Sequence, residues 1–102
     1  MTMTEEGLRW VVRLHPEETE RPVNVFVYGE ASQDVVVFSH RTGRWRVDPG
    51  LAARAAAEDR REGVRLSRTV DRSTAAHAAE QFGQTLPEDA EVLALMAASR
   101  HS

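Results

Sequence analysis

The chain of 102 residues contains no cysteine and no lysine. Without cysteine it can form neither disulfides nor thiolate metal sites, and it offers no cysteine nucleophile. The longest unbroken apolar run is Val92–Ala98, seven residues, whereas a membrane-spanning helix needs about 20. The acidic, polar start, residues 1–6, is unlike a secretory or transit peptide. We therefore expect a cytoplasmic protein with no membrane segment.

Signals for catalysis and for metal binding are also missing. The four histidines have neither the i,i+4 nor the His-x-His spacing of metal ligands, and no carboxylate pattern completes a metal site. Ser39 and His40 are adjacent, but consecutive residues of a strand point to opposite faces and cannot form a dyad. We expect no catalytic residues, no cofactor and no enzymatic activity.

The charge that is present is unevenly distributed. All thirteen basic residues are arginines, and residues 41–72 hold nine of them against five acids, a local net charge of +4. Residues 1–40 carry −4 and residues 73–102 carry −3. Arginine is suited to bidentate pairing with carboxylate or phosphate. The arginine-rich middle therefore either pairs with the chain's own acids, which we favour, or forms a surface that binds anions.

The first half of the chain has the pattern of β-strands. Leu8–Leu14 alternates apolar and polar residues, and the following segments are rich in β-branched and aromatic residues. Short links between them predict an antiparallel meander in chain order, with one apolar and one solvated face. The four predicted strands are 8–14, 23–28, 34–40 and 44–47.

The second half changes to helical periodicity. Asp48 and Pro49 predict a helix start, and Gly63 predicts its end at Glu62. Further helices are predicted over 73–82 and, from a Thr85-x-x-Glu88 capping box, to about Ser99. The segment 64–70 predicts a fifth strand. We expect one α+β domain over 1–102, a four- to five-stranded antiparallel β-meander packed against two or three C-terminal helices, with residues 1–6 frayed.

The last helix carries more apolar surface than a small domain can cover. Residues 92–98 have no polar side chain, and a helix that is apolar around most of its circumference is buried around most of it. We expect the excess to meet a second copy of the chain. The predicted homodimer interface consists of Leu93, Leu95 and Met96.

These observations favour a small non-enzymatic interaction protein: a regulator, an adaptor or an immunity-type partner, of a kind common among small bacterial proteins. If Trp45 points into the core, Arg44 and Arg46 flank it and project from the other face of the sheet. We expect them to bind carboxylates of another protein. The predicted partner-binding residues are Arg41, Arg44, Arg46, Arg65 and Arg68.

The alternative is a nucleic-acid-associated factor that uses the arginine-rich hairpin and the 60–72 segment. It is disfavoured because nucleic-acid-binding domains usually have a pI above about 9, and this chain has a pI near 5.8. Acidic segments on both sides of the middle would also repel a polyanion. A third possibility, a ligand carrier or small enzyme with a pocket between sheet and helices, lacks any nucleophile or general base that we can name.

Overall fold

The computed structural model describes residues 7–18, 20–63 and 65–100. It confirms the α+β fold, with an antiparallel sheet built mostly from the N-terminal half and three helices packed against it. No helix among these residues is long and apolar enough to cross a membrane. In chain order, the elements are β1 Leu8–Leu14, β2 Pro22–Gly29, β3 Val35–Ser39, β4 Arg44–Val47, α1 Leu51–Glu62, β5 Ser67–Val70, α2 Arg72–Gln81 and α3 Asp89–Arg100.

The sheet has the strand order β4-β3-β2-β1-β5, with every neighbouring pair antiparallel. The first four strands follow the chain, as their short links predict. The fifth strand pairs with the first, so that Ser67 lies opposite Arg13 and Val70 lies opposite Trp10. β1, β2 and β3 are therefore interior strands, whereas β4 and β5 form the two edges.

The main core lies between the sheet and helices α2 and α3. Alternate residues of the strands point to this side, and the helices pack against them with small or flexible side chains that permit close packing. Helix α2 begins at an N-cap, Asp71, whose carboxylate accepts the Thr74 N–H at 2.8 Å. The buried residues of this core include Trp10, Val12, Val25, Val27, Val36, Ala75, Ala78, Ala79, Val92 and Met96.

The other face of the sheet is covered along its middle, where we expected solvent, and is exposed at its margins, for example at Arg9, Arg44 and Arg46. Helix α1 lies across it, and Leu51 packs against a second cluster formed by Val11, Phe26, Val35 and Val37. Because of this cover, β1 is buried on both faces. The sheet is therefore the middle layer of three.

Helix α1 begins two residues later than its sequence indicates. Gly50 occupies the N-cap, while the Asp48 carboxylate accepts the Gly50 N–H at 3.2 Å and a bond from Arg54 at 2.7 Å. The helix ends as predicted, because Gly63 adopts the left-handed conformation with a φ of 72°. No residue of α1 is fully buried, so it is attached to the sheet more weakly than the other helices.

The starts of α3 and β5 also differ from prediction. The capping box expected at Thr85 and Glu88 is shifted, because α3 begins at Asp89 and the Glu91 carboxylate accepts the Glu88 N–H at 3.3 Å. Strand β5 begins at Ser67 rather than at residue 64. Val64 and residues 1–6, which we expected to fray, lie outside the described residues.

Candidate functional site: exposed arginines around the sheet

The β3–β4 hairpin places three of the predicted partner-binding arginines at one edge of the sheet. Gly43 adopts a φ of 72° and its N–H bonds to the Ser39 carbonyl at 2.8 Å, which closes the turn beside Arg41. Arg44 and Arg46 follow in β4, and both are exposed. This hairpin is the best-defined part of the predicted site.

The orientation of β4 confirms the prediction for Trp45. Its indole is half-buried in the main core, meets Phe38 edge to face at 5.7 Å, and donates from Nε1 to the Thr85 carbonyl at 3.1 Å. Arg44 and Arg46 consequently project from the opposite face. They share a face of the sheet and can act on one partner.

The remaining two predicted residues, Arg65 and Arg68, lie at the other edge. Arg65 precedes β5, and Arg68 lies within that strand, opposite Val12. Four strand spacings, roughly 19 Å, separate β5 from β4. The five predicted partner-binding residues therefore form two groups and not one patch.

Half of the described arginine side chains are paired with acids of the same chain. The pairs range from the buried Arg13 to the exposed Arg21, which bonds Glu18 at 3.0 Å. The arginines in ion pairs are Arg9, Arg13, Arg21, Arg46, Arg54 and Arg72. Internal pairing, the interpretation favoured from sequence, therefore accounts for only part of the charge.

The other arginines are exposed and have no carboxylate within ion-pair distance among the residues that the structure describes. Five of them gather at the end of the sheet where β1 and β3 finish, because the hairpin turn, the last turn of α1 and the start of β5 all lie there. Exposed cations without a partner are available to an anion from outside. The six unpaired arginines are Arg41, Arg44, Arg60, Arg61, Arg65 and Arg68, and all but Arg68 lie at that end of the sheet.

Sequence analysis missed the cluster that positions α1. Arg13 is 6% exposed in the described structure, bonds Asp59 at 2.8 Å and Ser67 at 2.7 Å, and also pairs with Glu58. Arg54 and Glu58 lie four residues apart on α1 but do not pair with each other, because Glu58 turns to Arg13 and Arg54 turns to Asp48. The only signal in the sequence was a charged residue, Arg13, within a strand that becomes buried. That signal could not be used without knowing that α1 packs over it.

The pKa values of three carboxyl groups are shifted by their partners. Partial burial raises the pKa of Asp48, but bonds from Arg54 and from the Gly50 N–H, with the charges of Arg54 and Arg46, outweigh it and leave the pKa below its usual value. A hydrogen bond from Arg21 lowers the pKa of Glu18. Bonds from the Thr74 hydroxyl and N–H lower the pKa of Asp71. All three carboxylates serve structural contacts.

The predicted dimer interface on α3 is split by the fold. Met96 is fully buried in the core of its own chain, so its assignment to an intermolecular surface is corrected. Leu93 and Leu95 are half-buried at the sides of the helix. The outward face between them carries Ala94 and Ala98, both exposed. The helix is apolar around its circumference largely because its outer positions are alanine.

No group of three or more histidine or acidic side chains that could hold a metal ion occurs within the described ranges. Comparisons with models of protein families, with curated proteins and with solved structures found no match to this chain.

Proposed function

We propose that this protein is a small non-enzymatic interaction protein, a regulator, adaptor or immunity-type partner, that binds an acidic region of another protein. The observation that carries the proposal is the set of six exposed arginines that have no acidic partner among the described residues. Each of these side chains is exposed and forms no ion pair with a described residue, so a partner carboxylate can form a charge-assisted bond to it without breaking an internal one.

The position of the acidic residues supports a protein partner over a nucleic acid. The loop between β1 and β2 carries Glu17, Glu18 and Glu20 and emerges at the same end of the sheet as five of the unpaired arginines. Its negative charge repels a continuous polyanion, whereas a folded partner can place carboxylates against the arginines alone. The net charge of −3 agrees with this preference.

Self-association through α3 is the second component of the proposal. Leu93 and Leu95 remain partly accessible on either side of an outward face that carries alanine. Alanine permits two helices to approach closely, and the flanking leucines would then pack across the contact. This component is independent of the arginines.

The experiment that tests partner binding is capture from the native host's extract at low and high salt. We expect wild-type protein to retain one acidic protein, and the double substitution Arg44→Ala with Arg46→Ala to retain less while its CD spectrum is unchanged. The matched control is Arg9→Ala with Arg21→Ala, which removes the same charge from arginines outside the predicted site that are held in closer ion pairs, at 2.7 and 3.0 Å, than the 3.9 Å contact of Arg46 with Asp48. The control should capture as much as wild type.

The nucleic-acid alternative has a distinct signature. Binding to phosphates releases counterions, so the affinity would fall steeply with salt. Tight, salt-sensitive binding of DNA or RNA by wild type that is lost in the Arg44→Ala, Arg46→Ala variant would replace the acidic protein by a nucleic acid as the partner. Equal capture by all three proteins would contradict the proposal in either form.

A further inference from the structure

The two edges of the sheet differ in whether their outward backbone groups are occupied. At the β4 edge, the Asp48 N–H bonds back to Val35 at 2.8 Å, so by alternation Val47 points its backbone groups outward. The Arg46 guanidinium donates to that Val47 carbonyl at 3.4 Å. The chain therefore protects one outward acceptor of the β4 edge with its own side chain, whereas the outward backbone groups of Trp45 have no partner within the described ranges.

The β5 edge lacks this protection within the described part of the chain. The Leu14 N–H donates to the Leu66 carbonyl at 2.9 Å, and Arg68 lies opposite Val12. Since hydrogen-bonded positions alternate along an antiparallel ladder, Arg68 bonds to β1 whereas Ser67 and Thr69 direct their backbone N–H and C=O groups outward. No described strand lies on that side. Two residues thus present the donors and acceptors that an added strand needs.

A cleft lies on each face of the sheet beside β5. On the α1 side, a cleft of about 340 Å³ is lined by Ser67 and Thr69 together with Val11 and Phe26. On the α2 side, a cleft of about 300 Å³ is lined by Arg68 and apolar residues of β1. Successive side chains of a strand point to opposite faces. A strand added to β5 would therefore direct its side chains alternately over the two clefts.

Charge selects the kind of strand that fits. Arg65 borders the cleft on the α1 side, whose acidic residue Asp59 is paired with Arg13. Arg68 borders the cleft on the α2 side, which Glu20 also lines. Neither Arg65 nor Arg68 has a carboxylate within ion-pair distance in the described ranges. An incoming strand gains ion pairs if acidic residues occur on both of its faces. The chemistry of the edge therefore matches an extended, acidic peptide segment.

The same charge disfavours a second copy of this chain. In an antiparallel pairing of two β5 strands that uses both outward residues, Ser67 of each copy lies opposite Thr69 of the other. Arg68 then lies directly opposite Arg68. Like charges directly opposite each other destabilise a pair of strands.

We propose that the acidic segment of the partner adds to the free edge of β5 as a sixth strand, with its carboxylates on Arg65 and Arg68. This inference rests on the proposed function, in which the partner is an acidic protein. Main-chain hydrogen bonds from Ser67 and Thr69 supply affinity, and the arginines and clefts supply selectivity. The six-stranded sheet would then be continuous across two molecules.

The test uses the full chain and a blocked peptide of repeating Glu-Glu-Val-Val, which places glutamate on both faces of an extended strand. We expect wild type and Thr69→Val to bind it equally, and Thr69→Pro to bind it about tenfold less or worse. Proline removes the outward N–H of Thr69 but not a bond to β1, so CD should confirm a folded variant. In wild type, bound peptide should slow the amide exchange of Ser67 and Thr69.

A second measurement covers the case in which Thr69→Pro does not fold. Wild type is then titrated with the same peptide N-methylated at alternate residues, which removes the peptide's own donors and should weaken binding to the same extent. Undiminished binding of the N-methylated peptide in both registers would overturn strand addition.

The remaining outcomes separate this inference from the proposed function. If Arg65→Ala with Arg68→Ala loses the peptide while folded Thr69→Pro retains it, the acidic partner stands and strand addition is wrong. If wild type does not bind the peptide but still captures an acidic protein through Arg44 and Arg46, strand addition is again wrong. If Thr69→Pro instead abolishes self-association, the occupant of the edge is a second copy of the chain.

Discussion

At the scale of single residues, the most consequential side chain is the buried Arg13. It reaches from the interior strand β1 to two acids in the last turns of α1 and to Ser67 at the start of β5. The Asp59 carboxylate in turn accepts the Leu66 N–H at 3.3 Å. One guanidinium thus fixes the position of a helix, the adjoining connection and an edge strand.

We expect Arg13→Ala to destabilise the protein by about 3 kcal/mol, because truncation leaves two acids without their partner and a gap in the layer below α1. The matched control is Arg9→Ala in the same strand and on the same face. Arg9 pairs with Glu30 in an exposed position, and such pairs contribute about 1 kcal/mol or less. Urea unfolding of both variants measures the difference, and equal losses would contradict the role given to Arg13.

The shifted pKa of Asp48 predicts a dependence of stability on acid. Its folded pKa lies below its usual value, and the unfolded value is near 3.9. The ionised carboxylate therefore stabilises the folded chain at neutral pH, and this contribution disappears as the pH falls through the unfolded value toward the folded one. We expect Asp48→Asn to lose less stability than wild type between pH 7 and pH 3 in urea titrations. Parallel losses would show that Asp48 does not contribute.

At the scale of elements, the three helices differ in how they are held. Helix α2 buries Ala75, Ala78 and Ala79, whereas α1 buries no residue completely and depends on Leu51 near its start and on Arg13 near its end. Elements with few buried apolar contacts open at lower free energy than the global unfolding. The attachment of α1 is therefore local and separable.

We expect the amides of α1 to exchange with solvent faster than those of α2 under native conditions, by roughly an order of magnitude or more. Hydrogen exchange measured by mass spectrometry or NMR tests this directly. Arg13→Ala should widen the difference by accelerating α1 selectively. Equal protection of the two helices in wild type would mean that Leu51 and the ion pairs hold α1 as firmly as a buried face.

Sequence patterns predicted the helices and strands better than they predicted which elements pack against each other. The alternation in β1 and the left-handed glycine at 63 are local signals, and both were read correctly. The cover of the second sheet face was missed because α1 attaches through one leucine and a buried arginine, which no periodicity reveals. The site was predicted as a single group because Arg46 and Arg65 are close in sequence, whereas the pairing of β5 with β1 places them at opposite edges.

At the scale of the whole molecule, the fold redistributes the charge that the sequence segregates. Three arginines of the middle segment, Arg46, Arg54 and Arg72, pair with acids of the chain. The unpaired ones remain on the surface, and most are at one end of the sheet. A mildly acidic protein can therefore offer a locally cationic end without the overall charge of a nucleic-acid-binding domain.

The oligomeric state is the prediction that belongs to the whole molecule. If α3 forms the dimer contact, Ala94→Glu places a charge at its centre and should shift the protein toward monomer, while its CD spectrum and thermal unfolding stay close to those of the wild-type monomer. Leu95→Glu should have the same effect on association. Because Leu95 also packs against its own core, this second variant should lose stability as well.

The control is Ala53→Glu, which adds the same charge at an exposed alanine of α1 and should leave association unchanged. Sedimentation at tens of micromolar is sufficient, since a standard-sized interface holds a stable dimer there. A monomeric wild type under these conditions would remove the dimer from the proposal. The outward alanine face of α3 would then have no role in self-association, and the proposed function would rest on the arginine-bearing edges of the sheet alone.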